Sequence, residues 1–314
     1  MANRILLQLD VDSQPSTFDA VVAVDASVDH LLRHGNVDED NVVGLVHGAM
    51  FTRGGDDLRH TAIFVGGSDV ERAEKVFRAV QKAFFGPVRV SVMLDASGCN
   101  TTAAAAVAAA ARHADLERSR AVVLGGTGPV GRRVAQLLAR AGASVVLTSR
   151  SLSRAEAACQ AVEKHLKSAS DIRGDKEGGK SPANPGRLEP ASTDSDEQVG
   201  QLVADAEIVI ACGAAGVELL PEEQWRKASG LRVAIDLNAV PPAGIGGVEP
   251  FDKAKPVQPE SFDPPVAYGA IGVGGLKMRA HKAAIAQLFE NTSQTLDANE
   301  IMEITQRIEA ERAQ

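Results

Sequence analysis

The stretch Val122-Val123-Leu124-Gly125-Gly126-Thr127-Gly128-Pro129-Val130-Gly131 constrains the fold of this chain more than any other. It sets Gly126-x-Gly128-x-x-Gly131 between a short apolar run and a segment of helical spacing. In that context the glycines permit, in turn, a tight turn, approach of a diphosphate to the backbone, and close contact of helix with sheet. The helix start adds free N–H groups and a partial positive charge for the phosphates. Pro129 suits the first helical turn, where its missing donor costs nothing. A dinucleotide site is therefore expected on a parallel, doubly wound sheet, held by Gly126, Thr127, Gly128, Pro129, Val130 and Gly131.

The end of the next strand, Ser144 to Thr148, selects the dinucleotide. An NAD site places Asp or Glu there for the ribose 2′-hydroxyl. This chain has Thr148-Ser149-Arg150-Ser151, with Arg154 one turn further on. A guanidinium and hydroxyls suit a 2′-phosphate. NADP is the expected cofactor, with Ser149, Arg150, Ser151 and Arg154 as ligands and NAD bound more weakly. Ala211-Cys212-Gly213-Ala214-Ala215-Gly216 ends a later strand on the same edge, and its small residues around Gly213 leave room for a flat ring. Gly66-Gly67 also ends a strand but lacks the third glycine, and reads as a structural turn.

Strand and helix alternate elsewhere, which predicts an α/β protein with mostly parallel sheets. Arg4 to Leu9 reads as a strand, Phe18 to Leu32 as a helix capped by Ser16 or Thr17, and Val42 to Val46 and Thr61 to Val65 as buried strands. Ser68 and Glu71 have capping-box spacing ahead of a helix burying Val70, Ala73, Phe77 and Val80. Val88 to Leu94 is a strand, Asp95 to Thr102 a polar loop, and Ala103 to Ala111 a closely packed helix. Ser168 to Gly200 turns polar and reads as a mobile surface insertion around at most one short strand near Leu188. Leu276 to Phe289 and Asn299 to Glu311 are expected helices.

At 314 residues and 44% hydrophobic the chain can bury two cores, which excludes general disorder. It carries no apolar run long enough for a membrane helix, and its first residues are too short of apolar length for a secretory signal. A net charge of -8 argues against nucleic acid and anionic membrane as partners. Cys99, Cys159 and Cys212 are odd in number and far apart; they suggest neither disulfides nor zinc and fit a cytoplasmic location. His30 and His34 share metal-like spacing but read as a surface helix end, so no metal is expected. A small-molecule enzyme, acting as a homo-oligomer, is the expectation.

Asp236-Leu237-Asn238-Ala239-Val240-Pro241-Pro242-Ala243-Gly244-Ile245-Gly246-Gly247 follows another central strand, and its prolines and glycines make a rigid loop on the ligand-binding edge. Asn238 is assigned to the cofactor. With this block the sequence resembles the bacterial NAD(P)-dependent methylenetetrahydromethanopterin dehydrogenases, which are related to methylenetetrahydrofolate dehydrogenases. The resemblance also rests on Phe18-Asp19, Val24-Asp25-Ala26, Thr61 to Gly67, Lys82-Ala83-Phe84, Asp95 to Thr102, Gly125 to Gly131, and Gly269 to Lys277. It implies a Rossmann-type NADP domain over 115–268, inserted into an α/β pterin domain of residues 1–114 and 269–314, with a cleft between them. It also implies hydride removal from the one-carbon bridge of methylenetetrahydromethanopterin, leaving a methenyl cation. No proton moves in that step, so no general acid or base is needed.

A carboxylate near the developing cation would lower the barrier; Asp19 and Asp95 are candidates, Asp19 preferred. Asn100, Thr101 and Thr102 are candidates for the pterin edge, and Lys277 for a pterin oxygen or an anionic tail. The chain departs from the bifunctional folate enzymes, whose Tyr-x-x-x-Lys pair it lacks: Tyr268 is followed by Ile271-Gly272. Cyclohydrolase activity is not expected. A methylenetetrahydrofolate dehydrogenase, an NADP-linked shikimate dehydrogenase-like reductase, which would need a Lys–Asp or Tyr–Lys pair, and a non-catalytic NADP sensor stay open as alternatives.

Overall fold

A computed structural model describes residues 2–173, 185–257 and 264–313. In chain order the first elements are β1 (Ile5–Asp10), α1 (Thr17–Asp25), β2 (His30–His34), α2 (Val42–Met50), β3 (Thr61–Gly66), α3 (Val70–Ala83), β4 (Ser91–Leu94) and α4 (Cys99–Ala110). There follow β5 (Arg120–Leu124), α5 (Pro129–Arg140), β6 (Ser144–Ser149), α6 (Leu152–Arg173), β7 (Leu188–Ser192), α7 (Asp196–Ala204), β8 (Ile208–Ala211), α8 (Glu222–Trp225) and β9 (Val233–Asp236). The last are β10 (Lys253–Pro256), β11 (Val266–Tyr268), α9 (Ala270–Gln287), β12 (Thr295–Leu296) and α10 (Ala298–Ala313). The chain divides into two compact units, Met1–Thr101 with Leu276–Gln314, and Thr102–Gly275. Each division falls inside a helix, α4 or α9.

The first unit is built on a five-stranded sheet of order β12-β4-β3-β1-β2, parallel throughout. Strands covered on both faces need near-continuous apolar runs; Leu6, Leu7, Leu9, Ile63, Phe64 and Val65 supply them and are buried. The order reverses between β1 and β3, so the ends of those two strands open a crevice at the carboxyl edge of the sheet. Helix α3 buries Val70, Ala73, Val76, Phe77 and Val80. Its cap is Asp69, whose side chain accepts from Arg72 N, while the expected cap Ser68 donates its hydroxyl to Asp12.

The second unit has seven strands in the order β10-β11-β9-β8-β5-β6-β7, with β10 alone antiparallel. From β7 through β11 this is the doubly wound dinucleotide-binding order, with its reversal between β5 and β8. Trp225 is buried in the core beside Val122, Leu124 and Val209, and its indole N–H donates to Gly246 O at 3.0 Å. The expected α/β architecture with parallel, doubly wound sheets is thus present.

Several sequence expectations change. The Phe18 to Leu32 helix ends at Asp25: Ser27 takes a left-handed φ of 64°, and His30–His34 pairs with β1 as an edge strand. Helical spacing of Val28, Leu31 and Leu32 was overridden by tertiary pairing, the usual fate of short apolar runs. His30 and His34 therefore lie on a strand, about 13 Å apart along it, and not on a helix. The strand expected at Val42 to Val46 is helix α2, which buries Val42, Val46, Ala49 and Met50 at helical spacing. In the polar stretch from Ser168 to Gly200 the strand expected near Leu188 is present as β7, while the ends are more regular than expected: α6 continues to Arg173 and α7 opens at Asp196. The rest of that expectation, at 174–184, lies outside the described residues.

Candidate active site

The glycine turn sits where β5 meets α5, at the β5/β8 reversal of the second unit. Gly125 has a φ of 61°, and a Cβ on it would lie 2.6 Å from Gly213 Cα, so the two turns at the crevice touch backbone to backbone. A Cβ on Gly131 would meet Gly126 Cα at 2.6 Å, and one on Gly126 would meet Leu147 Cγ at 2.8 Å. Those glycines seat α5 on the sheet. Gly128 differs: it is the N-cap of α5, and among the described residues nothing lies within 4 Å of a Cβ built there. None of the described residues requires that glycine, whose open side faces the helix N-terminus where a ligand can approach. Thr127, Pro129 and Val130 beside it are partly exposed. This fits a diphosphate.

At the end of β6, Ser149 is buried while Arg150 and Arg154 are exposed, and Ser151 Oγ lies 2.9 Å from Ser153 Oγ. The guanidiniums are thus open to solvent or a bound anion. On the β9 side Asp236 organises the proline loop. Its Oδ2 accepts from Gly244 N at 2.7 Å and Ile245 N at 3.2 Å, and its Oδ1 accepts from Asn238 N at 2.9 Å. Burial raises its pKa while those three donors oppose the rise. Asn238 in turn donates to Pro242 O and accepts from Val240 N. A recess of about 300 Å³ lined by Asn238, Val240, Pro241, Pro242 and Glu218 lies against this loop. Burial and the neighbouring Asp236 push the Cys212 thiol up, the opposite of what a nucleophilic thiol needs. Tyr268 is buried, and its hydroxyl lies 2.8 Å from His113 Nε2. The tyrosine's partner is thus a histidine that the sequence does not single out.

In the first unit the crevice at β1 and β3 gathers the other candidates. Asp19 stands in the first turn of α1, capped by Ser16, and a Cβ on Gly66 would lie 3.6 Å from its Oδ2. Its pKa is pushed up to about 6, mainly by burial and then by the Asp95 carboxylate. Lys277, on α9, holds its Nζ 4.2 Å from the Phe18 ring centroid and packs on Gly98, whose φ is 61°. Burial lowers its pKa, against the pull of Asp95 and Asp19. Asp95 is spent on structure. Its Oδ1 accepts from Asn100 N and Thr101 N at 2.9 and 3.0 Å, and its Oδ2 from Thr101 Oγ1 at 2.7 Å. Asn100 donates to Leu94 O and Asp297 Oδ1, which ties α4 to the start of α10.

Asn100 and Thr101 are fully buried and belong to that frame; Thr102 follows them in the chain and is partly exposed. The structure thus brings Asp19 and Lys277 together and leaves Asn100 and Thr101 behind them. It adds His281, which stands between Arg279 and Lys282 in the sequence; its i, i+4 spacing from Lys277 was the available signal.

A family model described as methylene-tetrahydromethanopterin dehydrogenase, N-terminal, matches residues 17–97, the stretch that holds both Asp19 and Asp95. "Bifunctional protein MdtA" of Methylorubrum extorquens is 43% identical over 98% of this chain and 100% of its own length. The chain belongs to the methylenetetrahydromethanopterin dehydrogenase family. A second relative from the same organism, named NAD(P)-dependent methylenetetrahydromethanopterin dehydrogenase, is 31% identical over 92% of this chain and 93% of its own. Among solved structures, ornithine carbamoyltransferase from Gloeobacter violaceus shares the fold at 13% identity, with a TM-score of 0.52 over 92% of this chain and 88% of that one. Among the described residues of this family member, no helix is long and apolar enough to cross a membrane.

Proposed function

We propose that the chain is an NADP-dependent dehydrogenase that oxidises methylenetetrahydromethanopterin to methenyltetrahydromethanopterin in one-carbon metabolism. The observation that carries the reading is identity with family members over nearly the whole chain, together with a glycine turn whose middle residue leaves ligand space at a helix N-terminus. Gly126 to Gly131 would hold the diphosphate, Gly213 and Asn238 would flank the ring, and Ser149, Arg150, Ser151 and Arg154 would meet the 2′-phosphate. When bound, the nicotinamide supplies the hydride acceptor.

The chain's own residues would do the rest. The bridge carbon lies between two nitrogens whose lone pairs expel the hydride and share the positive charge. Reaction requires that carbon within roughly 3–3.5 Å of nicotinamide C4. Asp19, ionised above about pH 6, would stabilise the methenyl cation, and Lys277 would orient a pterin oxygen. No acid–base pair is required, in keeping with a tyrosine whose hydroxyl meets His113 and not a lysine.

The test is an assay of purified protein with methylenetetrahydromethanopterin and methylenetetrahydrofolate, each with NADP and NAD. The reading expects fastest turnover with methanopterin and NADP. Arg150→Ala is expected to raise KM for NADP about tenfold or more while moving KM for NAD little. Equal loss for both cofactors would take Arg150 off the 2′-phosphate, and turnover of neither pterin would overturn the reading.

A further inference from the structure

Within the first unit His281 is a buried group that the fold does not explain. His281 is fully buried on α9, one turn beyond Lys277, so both side chains leave the same helix face. Its ring stacks on Phe64 with centroids 5.7 Å apart and 22° between planes, and Phe18 lies 6.4 Å away. Among the described residues, neither ring nitrogen has a hydrogen-bond partner. Nδ1 faces Asp95 Oδ2 at 3.9 Å, too far for a hydrogen bond. A phenylalanine or leucine would fill this place without the penalty of unsatisfied buried polar atoms. Polarity here therefore calls for a reason other than packing.

The groups around His281 supply one. Asp95, following β4, and Lys277, on α9, are the charged groups that act on it; Phe18 from α1 and Phe64 from β3 cover its faces. Burial, with help from Lys277 and against Asp95, pushes its pKa down to about 4, so the ring is neutral at physiological pH and carries one N–H. Asp95 Oδ2 has accepted one bond, from Thr101 Oγ1, and a carboxylate oxygen accepts two. A shift of about 1 Å would bring His281 Nδ1 and Asp95 Oδ2 within hydrogen-bond distance.

We propose that His281 is a positioning residue: its neutral Nδ1–H tautomer is the reserved second donor to Asp95 Oδ2 and, through that carboxylate, sets the place of Lys277 against the pterin. Asn offers a polar atom at the position of Nδ1, Gln at that of Nε2, and Phe offers the ring alone. This inference rests on the pterin reading of Asp19 and Lys277.

The test compares His281→Phe, His281→Asn and His281→Gln with the unchanged protein. Turnover of methylenetetrahydromethanopterin with NADP is expected to fall about tenfold in kcat/KM for the pterin in His281→Phe, with KM for NADP unmoved. His281→Asn is expected to stay within about threefold of the unchanged protein, and His281→Gln to resemble His281→Phe. Full activity in His281→Phe with loss in His281→Asn would mean that the ring only fills space, and would overturn the proposal. A readout independent of turnover comes from long-range ¹H–¹⁵N spectra of histidine-labelled protein: the Nδ1–H tautomer is expected for His281, and the Nε2–H tautomer would refute it. If the unchanged protein turns over no pterin, the functional reading fails by itself, and the tautomer still decides the geometry of His281 and Asp95.

Discussion

Asp19 carries the residue-scale consequence with the clearest sign. Its folded pKa of about 6 stands above the ordinary value of 3.8, so the folded state holds the proton more tightly than the unfolded chain. Stability from this group is full below about pH 4 and is lost as pH rises through 6. At pH 8 the buried charge costs on the order of 2–3 kcal/mol. Asp19→Asn is therefore expected to melt a few degrees higher than the unchanged protein at pH 8, with the difference gone at pH 4; thermal melts at both pH values check this. Catalysis should move the opposite way. In the unchanged protein kcat/KM for the pterin is expected to climb through about pH 6 and stay flat above 7, because the role proposed for Asp19 needs its carboxylate ionised. Asp19→Asn should lower it at least tenfold and remove that rise. A mutant that keeps the same pH profile would place the titrating group elsewhere.

At the scale of an element, the two roles of the glycine turn separate cleanly. Gly131→Ala drives a Cβ against Gly126 backbone at 2.6 Å, and either α5 or β5 must shift. A loss of about 2–3 kcal/mol, read as a lower melting temperature, is expected together with loss of NADP binding. Gly128→Ala meets nothing within 4 Å and is expected to melt like the unchanged protein, yet to bind NADP at least tenfold more weakly by titration. Equal affinity in Gly128→Ala would show that the diphosphate does not approach this backbone. The motif was legible because its glycines answer local steric demands. Helices α1 and α2 were less so. A run such as Val42 to Val46 fits either period, and the choice fell to what packs beside it: Val46, Ala49 and Met50 extend the buried face by another turn.

For the whole molecule, the C-terminal segment completes the first unit. Strand β12 pairs with β4, and Leu296, Ile301 and Ile304 are buried. Burial of three such side chains contributes about 6 kcal/mol, comparable to the net stability of a domain. A chain truncated after Phe289 is expected to lose the thermal transition of the first unit and all pterin turnover. Limited proteolysis of the truncated chain should then leave Thr102–Gly275 as the resistant fragment. Survival of both transitions would show that β12 and α10 are dispensable. Nothing in the sequence marks β12, two residues long, as a strand; its place follows from the free edge of β4 and from Asn100 holding Asp297.

Local chemistry was enough to read the dinucleotide turn, the missing carboxylate after β6 and the rigid Asn238 to Gly247 loop, because each depends on the residue types within one short stretch; Asp19 and Lys277 became candidates within the blocks that carry the family resemblance. The pairing of β2, β10, β11 and β12, the hold of Asn100 on Asp297, and the burial of His281 against Asp95 are settled by residues tens to hundreds of positions apart. Such contacts are chosen by which surfaces and donors the folded chain leaves unsatisfied, and that choice is written in three dimensions.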